Sequence, residues 1–114
     1  MVFYYLGQTN KDLIVYIGNE VERLPNYLFA PYGTENSYSY NAIKQVAFAE
    51  DSVCTTIGSY AFRYATSLEE INLPASLTTI SSGAFEHCST LPTIVIPINV
   101  TTIGSQAFTN CSKL

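Results

Sequence analysis

The chain has 114 residues, of which 47% are apolar and 12% charged, with a formal net charge of −4. This balance excludes a disordered polyelectrolyte, and the absence of a basic stripe argues against a phosphate-binding surface, so nucleic acid is not expected as a partner. No apolar run approaches the roughly 18 residues of a membrane span, so direct membrane insertion is not expected either.

Residues 1–14 read as an N-terminal cap. Val2 to Leu6 and Leu13 to Ile17 are apolar segments separated by Gly7-Gln8-Thr9-Asn10-Lys11-Asp12, the pattern of a strand, a turn and a second strand. Met1 to Leu6 carry neither the basic n-region nor the long apolar h-region of a secretory signal, so none is read here.

Residues 15–42 form a first coil. Val15, Ile17, Val21, Leu24, Leu28 and Phe29 stand at offsets that recur downstream as Ile71, Leu73, Leu77, Ile80, Ala84 and Phe85. An insertion follows, rich in Gly, Pro, Ser and Asn, which marks a surface loop. Its Tyr32, Tyr38 and Tyr40 offer large amphipathic contact area.

Residues 43–67 form a degenerate coil in which Ile43, Val46 and Phe48 keep the apolar spacing. Two extra residues bulge around Glu50 to Val53, and Cys54 replaces a core leucine. Residues 68–90 and 91–114 are regular coils. Leu68, Ile71, Leu73, Pro74, Leu77 and Ile80 return 23 residues later as Leu91, Ile94, Ile96, Pro97, Val100 and Ile103. A unit this short cannot bury its own apolar face and must stack on its copies.

Within each coil, Leu-x-x-Ile-x-Leu is expected to end in a short strand with alternate residues inward, which Pro74 or Pro97 then stops. Leu77 to Ile80 reads as a second extended piece, with Thr78 and Thr79 favouring strand. Ser-Gly followed by Ala84-Phe85 predicts a single helical or 3₁₀ turn. Phe62, Phe85 and Phe108 are expected to stack into an interior column, with Ala61, Ala84 and Ala107 kept small beside it. Leu114 is the first inward residue of another coil. The expectation is an open C-terminal end whose apolar side chains and unpaired edges favour self-association.

The unit Leu68-x-x-Ile71-x-Leu73-Pro74-x-x-Leu77-x-x-Ile80-x-x-x-Ala84-Phe85-x-x-Cys88 closely resembles the BspA-like class of leucine-rich repeats. Ala65 in place of Cys and Cys54 in place of Leu depart from that pattern. The expected fold is a leucine-rich-repeat solenoid, mainly β with short helical or 3₁₀ turns. It has about four to five coils, a hairpin cap and an open C-terminal end. The resemblance implies residence in long proteins at the surface of bacteria or parasitic protists, binding host matrix proteins or other cells. It implies no catalytic residues.

The residues agree with that absence. His87 is the sole histidine, so no zinc set is expected beside Cys88. Glu69 and Glu70 are neighbours whose side chains splay on a strand, a solvated pair rather than an acid/base dyad. There is no phosphate-binding glycine loop and no Ser-His-Asp set, so neither an enzyme nor a cofactor is expected. Cys88 and Cys111 stand one period apart, which in stacked coils is within disulfide reach. The Ala65 at the same place, and the odd cysteine count, favour free thiols.

Candidate binding residues are the outward positions of the sheet: a row of Tyr16, Ala47, Asn72 and Val95, flanked by Gln45, Glu70 and Thr93. The loop tyrosines Tyr32, Tyr38 and Tyr40 are the second candidate. The function expected is a non-catalytic, adhesion-type interaction module of an exported cell-surface protein, with a protein or glycan partner. The alternatives are a structural spacer in a longer repeat protein, or an accessory domain of an enzyme encoded outside this chain.

Overall fold

A computed structural model describes residues 3–7, 13–30 and 43–114, the first of these segments as backbone alone. It contains β1 (Phe3–Gly7), β2 (Leu13–Ile17), β3 (Arg23–Leu24), β4 (Ile43–Phe48), β5 (Thr56–Ile57), β6 (Glu70–Asn72), β7 (Thr79–Ile80) and β8 (Thr102–Ile103). These make two four-stranded sheets, in the orders β1-β2-β4-β6 and β3-β5-β7-β8. The first three coils each give one strand to each sheet and the last gives β8 to the second alone, so the parallel neighbours in a sheet are equivalent residues of successive coils.

The registers carry the repeat into space. Val15 pairs with Val46 and Val46 with Ile71, all three buried, while Tyr16, Ala47 and Asn72 pair along the next row and face outward. In the second sheet Leu24, Ile57, Ile80 and Ile103 align, with Arg23, Thr56, Thr79 and Thr102 beside them. The two-residue alternation of a strand turns Leu24, Ile57 and Ile80 inward, where all three are buried, while Ile103 in the last coil is 50% exposed. Strand β1 runs antiparallel to β2, Phe3 opposite Ile17 and Gly7 opposite Leu13, and so covers the backbone edge of the first sheet.

Between the sheets the aromatic column forms as the spacing predicts and reaches one coil further. Phe62 and Phe85 stack with ring centroids 5.3 Å apart, Phe85 and Phe108 lie at 5.5 Å, and Phe29 joins at 5.5 Å from Phe62. Phe62 and Phe85 are fully buried, as are Ala61 and Ala84 beside them. Each such ring contributes about 1.5–3 kcal/mol by burial.

The Ala-Phe segment is not a helical or 3₁₀ turn. Among the described residues there is no helix, and the segment is a series of hydrogen-bonded turns interrupted by left-handed residues. Tyr60 (φ 59°), Gly83 (φ 63°) and Gln106 (φ 60°) occupy one equivalent position, and Tyr64 (φ 62°), His87 (φ 63°) and Asn110 (φ 61°) another. A positive φ ends a right-handed run. It also turns alternate N–H groups towards the next coil: Tyr60 N donates to Ser82 O (3.0 Å), Phe62 N to Ala84 O (2.8 Å) and Tyr64 N to Glu86 O (2.9 Å). The bonds a helix would make within the segment run instead between coils, as a third ladder. Tyr60 and Gln106 hold this φ with side chains, so what calls for glycine at Gly83 is the Tyr60 ring, which lies where a Cβ would stand.

The last coil differs from expectation too. Ile94 to Ile96 form no strand, and the first sheet ends at β6, while the second continues to β8. Glu69 N donates to Lys44 O at 2.8 Å as the pairing of β6 begins. Pro92 occupies the equivalent place one coil on and has no N–H to donate. The segment therefore adds no ladder to β6, and Ile94 is half-buried where its equivalents Val46 and Ile71 are buried.

Candidate functional site

The outward face of the first sheet brings most of the candidate residues together. Tyr16, Ala47 and Asn72 form one row by direct strand pairing, and Ile14, Gln45 and Glu70 form the next. Thr93 and Val95 continue the surface past Asn72 without a strand of their own, for the reason given by Pro92. Tyr32, Tyr38 and Tyr40 lie outside the described residues.

Side chains on the face are held by local polar contacts. Asn72 Nδ2 donates to Glu70 Oε2 at 3.1 Å, and Lys44 Nζ lies 3.4 Å from Glu69 Oε2. Glu69 and Glu70 thus have separate partners and share no proton site, in keeping with a solvated pair. Both ion-pair partners are well exposed, so this bridge contributes little to stability.

Three contiguous shallow depressions cross the face. The first is lined by Ile14, Lys44, Gln45, Glu69 and Glu70, and the second runs from Glu70 and Asn72 to Thr93 and Val95. The third lies between Asn72, Ala75, Val95 and Ile98. Apolar groups stand at both ends, Ile14 and Tyr16 on one side and Val95 and Ile98 on the other, with amides and carboxylates between.

The cysteines serve the scaffold. Cys54, Cys88 and Cys111 are buried free thiols. Cys88 Sγ donates to Phe62 O at 3.2 Å and Cys111 Sγ to Phe85 O at 3.0 Å, each reaching into the preceding coil. Burial pushes all three thiols above their ordinary range, outweighing the backbone hydrogen bonds that oppose it. A neutral, buried thiol that donates to a carbonyl is no nucleophile.

The His87 ring stacks on Tyr64 at 4.4 Å, and its Nε2 lies 3.3 Å from Asn110 Nδ2. Among the described residues no three His, Cys, Asp or Glu side chains come together as a metal site, and no helix is long and apolar enough to cross a membrane.

Sequence reasoning missed the turn edge. Tyr27 and Tyr60 stack at 5.2 Å, and the Arg63 guanidinium lies over the Tyr60 and Tyr64 rings. The signal was available in the same period: Tyr60, Gly83 and Gln106, and Tyr64, His87 and Asn110, each stand 23 residues apart. These positions vary in chemistry, so an apolar template passes over them.

The family profile described as "BspA type Leucine rich repeat region (6 copies)" matches residues 32–114. Among solved structures, a leucine-rich repeat protein of T. pallidum is similar at 21% identity and TM-score 0.49, over 98% of this chain and 66% of that one. A leucine-rich cell surface protein of Faecalibacterium prausnitzii A2-165 is similar at 17% identity and TM-score 0.40, over 98% of this chain and 51% of that one. The chain thus spans less than two thirds of the length of either. No curated protein matches it.

Proposed function

The chain belongs to the BspA-type leucine-rich repeat family, and from that premise we propose that it is a non-catalytic protein-interaction module of a cell-surface protein, binding through the outward face of the first sheet. The observation that carries this reading is the in-register row Tyr16, Ala47 and Asn72 beside Ile14, Gln45 and Glu70. Parallel ladders fix the backbone under every one of these side chains, so little conformational freedom is lost when a partner docks. Adhesion is the role such a face would serve at a cell surface.

The test is binding of the purified chain to immobilised extracellular-matrix proteins. The reading predicts saturable binding that Asn72→Arg and Ala47→Arg weaken by at least about tenfold, since a bulky charge in the middle of the face must be desolvated on docking. Both variants should unfold at the temperature of the parent. Binding that is indifferent to both substitutions would assign the contact elsewhere. Absence of any binding would leave the face as the outside of a spacer.

A further inference from the structure

The outward face of the first sheet carries a carboxylate without a counter-ion. Lys44 Nζ lies 3.4 Å from Glu69 Oε2, whereas Glu70 has no ion-pair partner among the described residues. Its Oε2 accepts a hydrogen bond from Asn72 Nδ2 at 3.1 Å, and its Oε1 accepts none among the described residues. With Lys44 set against Glu69, the surplus charge at this place is that of Glu70.

Strand register puts an amide and an apolar side chain beside it. Gln45 pairs with Glu70 and Ile14 with Gln45, so the three stand in one outward row on adjacent strands, about 4.8 Å apart. Together with Lys44 and Glu69 they line a depression of about 230 Å³, in which Ile14 is 37% exposed. Glu70 also lines the second depression of the face, so it stands where the two meet.

These groups restrict what the depression can receive. An anion is repelled by Glu69 and Glu70, and an apolar side chain would strip water from the Glu70 carboxylate without replacing its hydrogen bonds. A cation replaces them. Lysine would meet Glu70 as a point charge, whereas the planar guanidinium of arginine can donate to the open carboxylate oxygen and to the Gln45 amide oxygen at once. The aliphatic stem of that arginine then covers Ile14. We infer that the outward face docks its protein partner through an arginine side chain seated between Ile14, Gln45 and Glu70. This rests on the reading of the face as the interaction surface and narrows the partner to one with a basic segment. A polyanion such as a sulfated glycan does not fit it.

The probe is a short, fluorescently labelled peptide in which arginine alternates with threonine, acetylated and amidated at its ends. Its counterpart carries citrulline, which keeps the shape of arginine and loses the charge. Anisotropy titration with the purified chain at low salt should show saturable binding of the arginine peptide, and binding of the citrulline peptide weaker by at least about threefold. Glu70→Gln should remove that difference at an unchanged unfolding temperature, because the side chain is exposed. Glu50→Gln takes the same charge from the exposed turn after β4 and should leave the affinity within about twofold of the parent. Equal binding of the two peptides, binding of neither, or equal losses in Glu70→Gln and Glu50→Gln would each overturn the arginine site. Failure of the face itself reads differently: matrix-protein binding weakened by Ala47→Arg but not by Glu70→Gln would keep the face and discard its arginine anchor.

Discussion

Phe85 lies flat on Phe62, their planes inclined by 7° and their centroids 5.3 Å apart, although 23 residues of chain separate them. This contact converts a sequence period into a core, because each ring is covered by its own equivalent in the coils before and after. Phe85→Ala should therefore cost about 3–5 kcal/mol in urea unfolding, with the loss shared by both neighbouring coils. A cost below about 1 kcal/mol, typical of a surface site, would mean that the column does not hold the coils together.

The end of the first sheet is attributed to one missing donor. Pro92→Glu restores an N–H at the place where Glu69 bonds to Lys44 one coil earlier. The amides of residues 93–95 should then exchange more slowly. The bond is worth about 0.5–1.5 kcal/mol, offset in part by the freer unfolded chain that loses a proline. Unchanged exchange in a folded variant would show that proline is not what keeps Ile94 to Ile96 off the sheet.

Much of this fold was legible in the sequence, and the two failures have identifiable physics. The inward residues Val46, Ile71, Leu24 and Ile80 were readable because burial demands apolar side chains at fixed spacing. The left-handed turns were not, since Tyr60, Gly83 and Gln106 share a backbone conformation but no side-chain chemistry. The expected helical turn rested on local propensity, and the intercoil ladder overrode it. The strand at Ile94 to Ile96 was inferred from an apolar pattern that says nothing of hydrogen-bond donors, although Pro92 was in plain sight. The outward row could be listed from spacing alone. Its contact between Asn72 and Glu70, and the whole Arg63 cluster, depend on side-chain geometry that spacing does not encode.

Buried thiols make the fold sensitive to alkali. Burial holds Cys88 above its ordinary value of 9.0, so the folded state keeps its proton more tightly than the unfolded chain does. That stabilisation is complete below the unfolded value and is lost as pH rises above it, with a slope of up to about 1.4 kcal/mol per pH unit for one group. Cys88→Ala, which copies Ala65 one coil earlier, should flatten the decline of unfolding free energy above about pH 9. Parallel pH profiles for parent and variant would contradict this.

The central claim is that the outward face of the first sheet binds a protein partner, and the most direct measurement is the affinity of the parent and of Asn72→Arg for the same immobilised matrix protein, with thermal unfolding recorded for both. The account predicts an affinity lower by at least about tenfold at an unchanged unfolding temperature, as for a charge placed at the centre of an interface. Equal affinities for two equally stable proteins would contradict it.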